Sequence, residues 1–147
     1  FYGGSEATIR TLREKLPKEY PHLKIAGMVS PPYRPLTKEE DAAQVEAMNA
    51  SGADIIWIGL GAPKQERYMF EHQGLTQGVM VGVGAGFDYY AGTIRRAPMW
   101  MQKLSLEWLY RLMQDPKRLF KRYFVTNFKF LRLTLGRGKK SRGEKKS

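Results

Sequence analysis

The sequence predicts an α/β fold, a parallel sheet followed by a basic helical C-terminal appendage. Three observations predict it. Apolar runs alternate with segments of helical periodicity through the first two thirds of the 147 residues. Two of those runs break into glycine-rich turns, IIWIGLGAPKQE (Ile55–Glu66) and VMVGVGAGFDYYAGTIRRAP (Val79–Pro98). A buried parallel strand that ends in glycine lets the next helix offer unpaired N–H groups to an anion. Charge is also divided unevenly: residues 1–94 hold 9 Lys/Arg against 11 Asp/Glu, and residues 95–147 hold 16 against 3.

The elements follow in order. Phe1-Tyr2-Gly3-Gly4 reads as the end of a strand, with Ser5 as N-cap and Glu6 in the first helical turn. Ile9, Leu12 and Leu16 keep helical spacing up to Pro17, and Leu23–Val29 is a short strand. Pro31, Pro32 and Pro35 force a loop over Ser30–Pro35. Thr37 and Glu40 form a capping box that opens a helix running past Val45 and Met48 to Ser51-Gly52. Strand Asp54–Ile58, a helix from about Pro63 to His72, and strand Val79–Val83 complete the alternation. Three strands and a clipped start make a sheet expected to be too small for cover on both faces. The chain is accordingly expected to be the C-terminal portion of a longer protein.

Beyond Pro98 the pattern changes. Trp100, Leu104, Trp108 and Leu112 share a four-residue rhythm that Asp115-Pro116 interrupts. Phe120, Phe124, Phe128, Leu131 and Leu135 form a second stripe, flanked by Lys117, Arg118, Lys121, Arg122, Lys129 and Arg132. Two helices are expected, the second amphipathic and basic. Gly136–Ser147 is a lysine-rich tail expected to be disordered. The organisation is therefore an α/β portion over 1–97, a helical appendage over 98–135, and a basic tail over 136–147.

Composition removes several function classes. There is no cysteine, so disulfides, thiol catalysis and cysteine-ligated metal are excluded. Only His22 and His72 carry imidazole, and both are read as surface residues; no metal site is expected. No apolar stretch reaches the about 18 residues that a spanning helix requires. A near-neutral body joined to a basic end implies an anionic partner: nucleic acid, lipid or a phosphorylated substrate.

The motifs FYGG (Phe1–Gly4), SPPY (Ser30–Tyr33), GLGAPKQE (Gly59–Glu66), GVGAGFDYYAGTIRRAP (Gly82–Pro98) and LEWLYRLMQDPKRLFKRY (Leu106–Tyr123) occur in that order. In order and spacing the chain resembles the WecG/TagA/CpsF family of bacterial glycosyltransferases. The resemblance implies a Rossmann-like domain whose N-terminal part is missing here. It also implies transfer of an N-acetylmannosamine-type sugar from a UDP donor to a polyprenyl-diphosphate-linked acceptor, in teichoic acid, capsule or common-antigen synthesis. The reaction implied is inverting and metal-independent, needs no cofactor, and takes place on the inner face of the cell membrane. The aspartate regarded as the family's general base lies in the part this chain lacks.

Individual residues carry the expected chemistry. Gly3 and Gly4 let backbone N–H groups approach the nucleotide, and Gly59, Gly61 and Gly86 free the two later turns. Tyr33, on its proline-stiffened loop, suits stacking on uracil. Gln65 both donates and accepts, as sugar hydroxyls require, and Lys64 suits a phosphate. Asp88 is placed to accept from ribose or uracil. Arg111, Arg118 and Arg122 offer guanidinium forks to the leaving diphosphate. An anionic membrane surface is an expected partner of the basic helix, and homo-oligomerisation is left open. The rival is a basic nucleic-acid-binding module, which leaves both glycine turns idle. A dinucleotide fold ranks below it: GxGxxG from Gly82 requires glycine where Phe87 stands.

Overall fold

The computed structural model describes residues 1–114, 116, 119–120, 124–126, 128–130 and 132–134. These form two compact units, one spanning Phe1–Arg95 and one beginning at Arg96. The first unit is built on three parallel strands, β1 (Tyr2–Gly3), β2 (Ile55–Gly59) and β3 (Val79–Gly82), in the order β1-β2-β3. Tyr2 pairs with Ile58 and Gly3 with Gly59, while Ile55 to Ile58 pair with Val79 to Gly82.

Helix α1 (Glu6–Glu19) follows β1, α2 (Lys38–Ala50) precedes β2, α3 (Lys64–Glu71) follows β2, and α4 (Gly86–Ala91) follows β3. Ser5 caps α1 by accepting the Thr8 N–H, and the Thr37/Glu40 capping box of α2 is complete. Pro17 does not end α1, which runs to Glu19. The helical bond lost there is to the carbonyl of Arg13, an exposed residue.

The expected strand over Leu23–Val29 is reduced to a single parallel bridge between Val29 and Tyr2. β1 is two residues long and offers only a short edge: Val29 N–H donates to Phe1 O, and Gly3 N–H donates to Val29 O. The bridge takes the edge of β1 opposite β2. The path therefore leaves β1 in one direction, returns across it to β2, and continues to β3. With right-handed crossovers, that reversal sends α1 to one face and α2 and α3 to the other, and α4 packs beside α1 through Phe87.

Side chains confirm both faces, which corrects the expectation of a sheet too small for double cover. Ile9, Leu12, Leu16 and Phe87 form a buried cluster with Trp57 and Val83 against it. Ile56 and Ile58, pointing the other way from Trp57 along the pleat, join Tyr2 in a second cluster with Met48, Tyr68 and Met69. Cover is incomplete on the first face. Ile55 and Val79 remain exposed, and an apolar cavity of about 750 Å³ opens between the end of α1, Tyr20–Leu23 and Trp57.

In the second unit, α5 (Met99–Lys103) and α6 (Glu107–Gln114) replace the single helix expected from Trp100 to Leu112. Ser105 adopts φ 57°, its N–H donates to Gln102 O, and Leu106 N–H donates to Met101 O. This double closure is a Schellman ending with serine in the left-handed position, which apolar periodicity does not reveal. The Asp115-Pro116 interruption falls partly outside the described residues, as do Leu131, Leu135 and the tail from Gly136. Helical backbone recurs at 119–120, 124–126, 128–130 and 132–134, and the exposed rings of Phe120, Phe124 and Phe128 stack at 6.1 and 6.4 Å.

Candidate functional site

The carboxyl ends of β1, β2 and β3 lie side by side, and the reversal of path occurs at β1. Parallel sheets place their ligands outside such a reversal. Gly3, Gly4, Gly59, Gly61, Gln65, Gly86 and Asp88 all belong to this edge, on the strand ends and on the starts of α3 and α4. Tyr33 is brought to it by its loop: Lys64 Nζ lies 5.0 Å from the Tyr33 ring centroid.

Two of the glycines answer to packing. A Cβ on Gly3, at φ 125°, would meet the Gly59 carbonyl at 2.5 Å, and a Cβ on Gly59 would enter the Phe87 ring. Gly4 N–H donates to Gly59 O at 3.1 Å, closing the same contact. Gly61 differs, with φ 75° and open space around it, so it serves the turn itself. Gly86 is the first residue of α4. Pro63 stands at the N-cap of α3 behind a cis Ala62–Pro63 bond.

Gln65 bridges the two glycine turns. Its Oε1 accepts the Gly84 N–H at 2.8 Å, and its Nε2 donates to Glu66 Oε1 at 3.0 Å. Gly82 makes room for it, since a Cβ there would lie 3.0 Å from Nε2. Asp88 is held by hydroxyls. Ser5 Oγ donates to Thr8 Oγ1 (2.9 Å), which donates to Asp88 Oδ1 (2.8 Å); the single Thr93 hydroxyl proton is shared between the Asp88 carbonyl at 3.1 Å and the same Oδ1 at 3.3 Å. Thr8 is fully buried, so this chain fixes the carboxylate against the start of α1.

The proline loop is anchored on both sides of Tyr33. Ser30 Oγ donates to Gly4 O at 2.8 Å, and the Arg34 guanidinium donates through both terminal nitrogens to Glu40, at 2.7 and 2.6 Å. These bonds from Arg34 hold the Glu40 carboxyl down at about 2. Neither anchor was visible in the residue pattern, although Glu40 was read as part of the capping box that follows Arg34.

His72 corrects its surface assignment. It is 4% exposed, with Nδ1 2.7 Å from Tyr68 O and Nε2 2.9 Å from Asp41 Oδ2. It stacks on Tyr68, whose buried hydroxyl has its pKa raised by desolvation. The cluster latches α3 to α2 behind the sheet; the clue in the sequence was His72 sharing a helix face with Tyr68.

Arg111 lies half-buried on α6 in the second unit, and Arg118 and Arg122 lie outside the described residues. Among the described residues no three His, Asp or Glu side chains converge to hold a metal, and no helix is long and apolar enough to cross a membrane. The 750 Å³ cavity runs from the close of α1 and Tyr20–Leu23 to Val83, Gly86 and Phe87 at the turn into α4. Its main polar feature is the Tyr90 hydroxyl donating to Glu19 at 2.6 Å, an arrangement that offers a nucleotide little to bind.

Known proteins are similar to this chain over most of its length. The chain is 33% identical over 118 residues to the N-acetylglucosaminyldiphosphoundecaprenol N-acetyl-beta-D-mannosaminyltransferase of Bacillus subtilis (strain 168). It is 32% identical over 119 residues to the protein of the same name in Bacillus spizizenii. Each match takes in 80% of this chain and 44% of the relative, so the chain spans less than half the length of these proteins. The model of the glycosyl transferase WecG/TagA/CpsF family matches residues 1–144, and the chain belongs to that family.

Proposed function

We propose that residues 1–97 are the Rossmann-like, nucleotide-sugar-binding portion of an inverting glycosyltransferase. The enzyme moves an N-acetylmannosamine-type sugar from a UDP donor to a polyprenyl-diphosphate-linked acceptor during cell-envelope polysaccharide synthesis. The observation that carries this reading is the convergence of Tyr33, Lys64, Gln65 and Asp88 at the sheet reversal, in a member of this family.

Each residue then has a task. The Tyr33 ring stacks on uracil with the face not turned to Lys64, and Lys64 neutralises phosphate. Asp88 Oδ2 accepts from a ribose hydroxyl while Oδ1 is held by Thr8 and Thr93. Gly3, Gly4, Gly61 and Gly86 keep the strand ends low and let the donor approach the backbone, while the N–H groups of Gly3, Gly4 and Gly86 themselves are spent on Val29, Gly59 and Val83. The Gln65 carboxamide orients the sugar. As the glycosidic bond breaks, negative charge gathers on the departing UDP, and at least one of Arg111, Arg118 and Arg122 receives it through a bidentate fork. That last assignment rests on sequence and chemistry.

The appendage, 98–135, and the basic tail, 136–147, serve the lipid-linked acceptor at the inner face of the membrane. An exposed Phe120–Phe124–Phe128 ladder beside Lys129 and Arg132 supports this, being suited to an anionic interface. Calorimetric titration with UDP, with and without a chelator, tests the nucleotide site. Saturable binding unaffected by the chelator is the expected result, and absence of binding contradicts it.

A further inference from the structure

We infer that the Arg34–Glu40 pair is a positioning device that presets the Tyr33 ring for the base of a uridine nucleotide. The inference rests on the proposed function, in which Tyr33 is the base-stacking residue. Tyr33 is 93% exposed, and its recorded contact is the Lys64 ammonium above the ring. An aromatic so placed on a free loop would sample many orientations and would lose that freedom on stacking.

The loop is not free. Pro31 and Pro32 precede the tyrosine and Pro35 follows closely after it. On the near side, Ser30 is tied to the turn after β1. On the far side, Arg34 grips both oxygens of Glu40 and also donates to Pro35 O at 3.1 Å. Glu40 is itself fixed, because its Oε2 accepts the Thr37 N–H at 2.9 Å at the start of α2. The residue next to Tyr33 is thus clamped to a helix terminus by a planar two-bond fork, which a lysine cannot reproduce. Exposed ion pairs of this kind add little to global stability. What the fork restricts is the loop, and therefore the direction of the ring.

UDP titration of four proteins tests this: the parent chain, Arg34→Lys, Tyr33→Ala and the double variant. Arg34→Lys keeps the charge and removes the fork. It is expected to weaken UDP binding by between about 2-fold and about 10-fold, the cost of ordering one loop side chain, at an unchanged melting temperature. Tyr33→Ala is expected to weaken binding as well, and the double variant to bind no worse than Tyr33→Ala alone. An unaffected Arg34→Lys beside a weakened Tyr33→Ala overturns the inference while leaving the base-stacking role standing. Additive losses in the double variant overturn it too, since Arg34 would then act without Tyr33. A Tyr33→Ala variant that binds like the parent chain, or a parent chain that binds no UDP, overturns the base-stacking role and the inference together.

Discussion

The carboxamide oxygen of Gln65 accepts the Gly84 N–H at 2.8 Å, so the glycine turn after β2 and the glycine turn after β3 are joined by one side chain. The same residue is the proposed sugar contact, which gives it two separable jobs. Its oxygen is occupied within the protein, and its Nε2 donates to Glu66 at the exposed start of α3.

Gln65→Glu keeps an acceptor for Gly84 and removes the amide donor. It is expected to leave stability near that of the parent chain while weakening UDP-sugar binding more than UDP binding. Gln65→Leu removes both, strands a backbone N–H, and is expected to cost about 1–3 kcal/mol in chemical denaturation. Equal stability losses in the two variants would show that the Gly84 bond does not depend on the oxygen.

Gly59→Ala drives a methyl into the Phe87 ring and is expected to cost about 1–3 kcal/mol. Phe87→Leu in the same chain should recover part of that loss, because the clash is with a side chain. Gly61→Ala meets no atom but is held at φ 75°, so its cost of about 1–2 kcal/mol should not respond to Phe87→Leu. Denaturation midpoints of the four variants check both statements.

Glu40 carries a pH signature. Its carboxyl is held at about 2 against an ordinary value of 4.5, chiefly by the Arg34 bonds. A carboxyl lowered on folding contributes fully above its unfolded value and loses that contribution as pH falls through its folded value. The stability that the pair contributes should therefore be complete at neutral pH, decline below about 4.5 and be gone below about 2, while the clamp in the folded chain is released only as pH falls through about 2. NMR titration of the Glu40 carboxyl should find its midpoint near the lower figure, and moved upward in Arg34→Gln.

The appendage is expected to bind anionic vesicles better than neutral ones, and less well as salt rises. Replacing Phe120, Phe124 and Phe128 by serine should weaken sedimentation with anionic vesicles by more than about 10-fold, given the apolar area three phenylalanines bury. Charge reversal at Lys129 should act mainly at low salt. Vesicle binding indifferent to both changes would remove the membrane role from this helix.

The alternation of strands and helices was legible because periodicity, the Thr37 cap and the glycine punctuation all act locally. What escaped was decided by tertiary pairing. Leu23–Val29 looks like a strand by composition, but β1 is too short to pair with more than Val29. His72 looked like a surface imidazole because its partner, Asp41, is 31 residues away. The helix break at Ser105 hid inside a good apolar rhythm, since a left-handed serine leaves no compositional mark. At the site, the residue types were readable, whereas the hydroxyl chain from Ser5 through Thr8 to Asp88 joins residues 80 positions apart.

The most direct measurement is thermal stabilisation of residues 1–147 by UDP, ADP and NAD side by side, with a chelator present. A nucleotide that binds only the folded chain adds about 2.7 kcal/mol at 100 times its dissociation constant. A uridine site at the sheet reversal predicts a clear rise in melting temperature with UDP, a much smaller one with ADP and NAD, and a reduced UDP effect in Tyr33→Ala. Equal shifts with all three nucleotides, or a UDP shift that survives Tyr33→Ala and Asp88→Asn together, would contradict it.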